Sequence, residues 1–166
     1  MTIFIRLLSF TALLTIFSWP AHSQEWRSGP LSDIDRQFMT GQRDALDSLA
    51  RSQLGRQLNG TRDNDLEVLQ LLLDKHIVHK DQIALLQGMG IVLGQLLKSE
   101  KGLTWVAYYD KLGRSRALQV PGFDKDFIFP VTQVSRRAEV GLKVDVRKVY
   151  KELEQAVVDI RNKPPL

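Results

Sequence analysis

His76 and His79 stand three residues apart in the run His76-Ile77-Val78-His79, and on a helix that spacing would put both imidazoles on one side. Paired imidazoles are the starting material of a zinc site. A zinc-protease helix, however, sets its histidines four apart with a glutamate between them, and here the spacing is short and the glutamate is missing. A third ligand would have to come from Asp74 or Asp81, and polar histidines in a helix connection are the simpler reading. Asp63-Asn64-Asp65 with Glu67 opens like a calcium loop but lacks the glycine at the sixth position and the glutamate at the twelfth, so helix capping accounts for it better. No G-x-S-x-G accompanies either histidine. The chain has no cysteine, which excludes thiol nucleophiles, thiolate metal sites and iron–sulfur clusters. Acidic residues are plentiful, yet nothing in their spacing brings two together as a glycosidase requires. No catalytic, cofactor-binding or metal residue is assigned.

Charge is more informative. Residues 111–151 hold ten Lys and Arg against four Asp and Glu, whereas residues 24–110 hold ten against twelve. Arg114, Arg116, Arg136, Arg137, Lys143, Arg147 and Lys148 supply most of the excess, and if the fold gathers them they form a patch that attracts an anionic surface at long range. The competing reading is a solvated face that keeps the chain soluble. Tyr108 and Tyr109 add a candidate contact residue: strand alternation puts Tyr109 on the side of Trp105 and Tyr108 on the other.

These residues need elements to position them. Residues 33–54 carry Ile34, Phe38, Ala45, Leu46 and Leu49 at helical spacing behind Ser32, a good N-cap, and Asn59-Gly60 marks the clearest break. A second helix, capped by Asp63 or Asn64, carries Leu66, Leu69, Leu72 and Leu73; residues 75–80 interrupt it. A third, from about Asp81, runs through Ile83, Leu86, Met89, Leu93 and Leu97 to Gly102. Gly90 and Gly94 lie one turn apart on its stripe, where they would let another element approach the backbone. Beyond Gly102 the period changes to two: residues 103–110, 115–120 and 127–129 read as three antiparallel strands, with Trp105 and Phe127 or Phe129 among the buried residues. A short helix around residues 131–138 follows, and Asp145 caps a last helix carrying Val146, Val149, Tyr150, Leu153, Val157 and Ile160. The fold class is α+β: helices packed on a small three-stranded antiparallel meander, with a helix at each end. Residues 24–63 form an N-terminal linker and helix, 64–161 a compact α+β domain and 162–166 a tail.

Residues 1–23 read as a cleavable signal peptide: Arg6 in a short n-region, an apolar run over residues 7–17, and Ala21-His22-Ser23 as the cleavage site. The apolar stretch is too short for a membrane span. The expected location is periplasmic or secreted, and the absence of cysteine means that packing rather than disulfides must hold the chain together there.

The leucine-rich helix ending in Leu73-Asp74, the segment from Leu86-Gln87-Gly88-Met89-Gly90 to Leu93-Gly94, the strand Leu103-Thr104-Trp105-Val106, Asp110 through Gly113-Arg114, Phe129-Pro130 and Val144-Asp145-Val146 together resemble a bacterial family known as domain of unknown function 3806. The resemblance covers approximately residues 65–153. It implies a compact α+β domain in exported proteins and no particular activity. The residues and the resemblance point to a non-enzymatic periplasmic binding or accessory protein for another protein or an anionic envelope component, with no cofactor. The alternative is a carboxylate-dependent enzyme acting on cell-wall or envelope polymers. Nucleic acid is not an expected partner, given the compartment and the lack of any recognition motif.

Overall fold

A computed structural model describes residues 26–164; the expected leader and the last two residues of the tail lie outside the described residues. Helix α1 (Asp33–Leu54) starts in a reciprocal capping box, in which the Ser32 hydroxyl accepts the Asp35 N–H at 3.2 Å and the Asp35 carboxylate accepts the Ser32 N–H at 2.9 Å. It packs on α3 (Ile83–Lys101) through a side that carries Met39, Leu46 and Ala50, of which Leu46 and Ala50 are fully buried in the main core; Ile34, 72% exposed, and Ala45, also exposed, fall outside the stripe that their spacing suggested. Helix α2 (Arg62–Asp74) begins earlier than Asp63 or Asn64 would have it, with Thr61 in the N-cap position. The acidic cluster acts on the preceding turn instead. Buried Asp65 accepts the backbone N–H of Asn59 at 2.9 Å and of Gly60 at 3.1 Å, closing the chain reversal that leads into the helix. The break after α2 includes His76, whose φ of 53° is left-handed.

The sheet has four antiparallel strands, not three, in the order β1-β2-β3-β4: β1 (Arg27–Pro30), β2 (Thr104–Asp110), β3 (Gly113–Val120) and β4 (Phe123–Ile128). The unforeseen strand is β1, which pairs Arg27 with Tyr109 and Pro30 with Val106. It is only four residues long, contains Gly29 and Pro30, and has no alternation of its own; an edge position tolerates a proline that a central strand would not. The partner edge of β2 creates this strand, and that edge is remote in sequence.

One face of the sheet, carrying Leu118, Val120 and Ile128, joins Leu69, Leu72, Leu86, Met89, Leu93 and Leu97 in the main core, which α5 (Val146–Arg161) closes; Met39, Ile91 and Val131 form a smaller second cluster. Helix α4 (Gln133–Glu139) also packs on α3. Tyr150 is the largest fully buried side chain. Trp105, Phe127 and Phe129 are half-buried rather than core residues. Trp105 lies against the α3 backbone, whereas Tyr108 on the opposite face stacks on Trp26 and meets Phe127 and Phe129 edge-on or tilted at 5.0–5.1 Å. The two α3 glycines do permit close approach. A Cβ on Gly90 would lie 2.3 Å from the Val131 carbonyl oxygen, and one on Gly94 would lie 2.5 Å from Trp105.

Candidate functional site

The seven cations fall into two groups. Arg114 and Arg116, on alternate positions of β3, point toward the N-terminus of α1 and meet Asp35, whose side chain is 0% exposed. Arg114 pairs with Asp35 and also donates to the Ser32 hydroxyl at 3.0 Å. The Arg116 Nε lies 3.0 Å from Asp35 Oδ1 but out of line, so this is an ion contact rather than an aligned hydrogen bond. The Arg116 guanidinium also sits 4.0 Å from the centre of the Phe38 ring, and Arg27 and Arg114 both approach the Tyr109 ring. Burial pushes the Asp35 carboxyl up, but the Ser32 hydroxyl and N–H, with Arg114 and Arg116, outweigh it and hold the group below its ordinary range. These two arginines neutralise a buried carboxylate and tie the sheet to α1.

The other five belong to the α4–α5 segment. Arg137 donates to Glu152 at 2.6 Å and to the Gln133 carbonyl at 2.7 Å, and Arg147 reaches Asp63 at 3.3 Å. Arg136, Lys143 and Lys148 are exposed, and among the described residues none of the three has a carboxylate partner. The backbone that carries them is fixed at both ends. Helix α4 stops in a Schellman arrangement, with the Gly141 N–H on the Ala138 carbonyl at 2.9 Å, the Leu142 N–H on the Arg137 carbonyl at 3.0 Å and Gly141 at φ 77°. Beyond it, the Gln70 side-chain amide donates to the Val144 carbonyl at 3.2 Å and accepts the Val146 N–H at 2.8 Å, fastening the linker to α2.

A groove of about 900 Å³ separates this linker from the α2–α3 connection, and Asp74, His76, His79, Asp81, Leu142 and Lys143 are among its walls. Among the described residues, no three His, Asp or Glu side chains gather closely enough to hold a metal ion. Arg62, Glu100, Glu154, Lys101 and Tyr150 form a further polar network that joins α2, α3 and α5. Arg62 Nε donates to Glu100 at 3.0 Å, its Nη2 contacts Glu154 at 2.8 Å, and the Tyr150 hydroxyl donates to Glu100 at 3.0 Å. The hydrogen bond from Arg62 holds the Glu100 carboxyl below its ordinary range, while burial drives the Tyr150 phenol upward. These contacts tie the three helices to one another. Sequence reasoning missed both Asp35 and this network, and the Ser32-x-x-Asp35 capping signature was the single local clue to either.

The family described as "Domain of unknown function (DUF3806)" matches residues 65–150, just over half of the 166 residues. The chain belongs to the DUF3806 family. The matched region begins inside α2 and ends at Tyr150 in α5, so it spans the sheet from β2 to β4, the α4–α5 turn and the Gln70 clamp. The DUF3806 chain is also similar in fold to a crystal structure from Bacteroides thetaiotaomicron VPI-5482, with a TM-score of 0.69 and 17% sequence identity over 76% of this chain. The aligned part is 46% of that protein, so the DUF3806 chain spans less than half of its length. Comparison with curated proteins finds no match. Among the described residues, no helix is long and apolar enough to cross a membrane.

Proposed function

We propose that this DUF3806 protein is an exported binding domain, without chemistry of its own, that engages an anionic component of the cell envelope through the α4–α5 segment. The carrying observation is the division among seven basic residues of the C-terminal half. Arg114, Arg116, Arg137 and Arg147 are matched by carboxylates, whereas Arg136, Lys143 and Lys148 are exposed between residues 136 and 148 with no carboxylate partner among the described residues. Exposed cations without internal partners interact most strongly with an external anion, because no intramolecular pair has to be broken first.

The test is binding of the purified protein to immobilised lipopolysaccharide and to phosphatidylglycerol vesicles, with phosphatidylcholine vesicles for comparison, at low and high salt. The expected result is retention by at least one anionic material, absent on phosphatidylcholine and weakened by salt. Failure to bind any anionic material at low salt refutes the reading.

A further inference from the structure

The α4–α5 turn carries two large apolar side chains beside its cations. Val140 is 72% exposed and Leu142 is 60% exposed; the other aliphatic side chains exposed to this degree among the described residues, Ile34 at 72% and Leu112 at 88%, stand apart from one another at the start of α1 and the β2–β3 turn. Leu142 occupies the position after the left-handed glycine of the Schellman arrangement, where an apolar residue usually folds back onto the helix. Here the residue three positions inside the helix end is Arg137, which is engaged with Glu152 and Gln133, and Leu142 stays in solvent. The turn is not loose. The two backbone hydrogen bonds at its start and the Gln70 clamp on Val144 and Val146 fix both ends, and Val144 and Val146 are themselves buried.

We infer that this turn is a membrane-contact element: Val140 and Leu142 enter the interfacial region of a bilayer while Arg136, Lys143 and Lys148 meet anionic phospholipid headgroups. The inference rests on the function proposed above and names its ligand. A soluble anionic polymer would need only the cations. Two aliphatic side chains exposed in the same stretch of chain gain nothing from such a polymer, whereas an acyl layer under a phosphate plane accommodates both kinds of group. Rigidity helps, because little ordering is needed on contact.

The absence of cysteine makes insertion directly measurable. Leu142→Cys and Leu112→Cys are each labelled with an environment-sensitive dye; Leu112, 88% exposed at the β2–β3 turn, is the comparison position. With vesicles of phosphatidylglycerol and phosphatidylethanolamine, the dye at 142 should shift to the blue and be quenched by lipids brominated in their acyl chains, and the dye at 112 should do neither. Val140→Ser with Leu142→Ser should weaken vesicle binding about tenfold, and neutralising each of Arg136, Lys143 and Lys148 about fivefold. Vesicle binding without quenching at 142, or equal binding by the double serine variant, overturns the insertion and leaves the anionic-contact reading standing. Binding to soluble polyphosphate but not to vesicles does the same. If the protein binds neither, both readings fall.

Discussion

Replacing Gly90 by Ala tests the packing that sets α3 against the segment leading into α4. A methyl carbon there would sit 2.3 Å from the Val131 carbonyl oxygen and 2.4 Å from that of Pro130, against a practical limit near 3.0 Å, so something must yield by at least 0.7 Å. Both obstacles are backbone, and Pro130 is held in place because its carbonyl accepts the Gln133 N–H at 3.1 Å. Alanine improves helix propensity by about 1 kcal/mol. Overpacking of this kind costs about 1–3 kcal/mol and sits toward the top of that range where backbone must move. The net expectation is a loss of about 2 kcal/mol, or a fall in Tm of roughly 8 °C for a domain of this size. Gly41→Ala makes the same chemical change in the exposed middle of α1, where nothing lies within 4 Å, and should stabilise by about 0.5–1 kcal/mol. Urea denaturation followed by tryptophan fluorescence compares the two, with an unchanged m-value confirming that the effect is on stability. If Gly90→Ala proves as stable as the parent, the close approach of the two backbones is wrong.

Asp35→Asn should destabilise the protein by about 1–3 kcal/mol, less than loss of one partner of a deeply buried pair because Arg114 and Arg116 keep some contact with water. Since the Asp35 carboxyl is depressed in the folded state, its contribution is present above the unfolded pKa of about 3.9 and is lost as pH falls through the lower folded value. Urea midpoints between pH 7 and pH 3 should therefore fall more steeply for the parent than for Asp35→Asn, and parallel curves would contradict the assignment. Tyr150→Phe removes the hydrogen bond to Glu100 and should cost about 1 kcal/mol; in an ultraviolet titration the Tyr150 phenol should ionise above the usual tyrosine range, and ionisation within that range would disprove its burial. Gln70→Ala should cost about 1–3 kcal/mol and speed amide exchange at Val146, whose N–H the side chain accepts; unchanged exchange would mean that the clamp does not hold the linker.

The helices were legible because their signals are local. Ser32, Gly102 and Asp145 mark boundaries that the structure keeps, and the stripe through Val149, Leu153, Val157 and Ile160 faces the core as its period requires. The alternation of Tyr108 and Tyr109 across β2 was equally readable, since a strand leaves no choice of face. The β1 strand was not readable, because four residues containing glycine and proline become a strand only when the edge of β2 offers them hydrogen bonds. The candidate site shows the same limit. Composition identifies a basic stretch, but which cations are already paired depends on Asp35, Asp63 and Glu152, and only the folded chain brings Asp35 to β3. The exposure of Val140 and Leu142 is a property of the folded turn, since the position that Leu142 would fold back onto is held by Arg137, which is engaged with Glu152 and Gln133.

Whether the α4–α5 segment is the contact for an anionic partner is decided by phosphatidylglycerol-vesicle binding of two triple variants. Arg136→Glu/Lys143→Glu/Lys148→Glu reverses the segment, and Lys98→Glu/Lys111→Glu/Lys125→Glu changes net charge equally at exposed lysines elsewhere. Both should fold like the parent by circular dichroism. The first variant should lose binding by a hundredfold or more, at about fivefold or more for each cation, while the second keeps most of it. Equal losses in the two would mean that net charge alone drives binding, and the segment would have no special role.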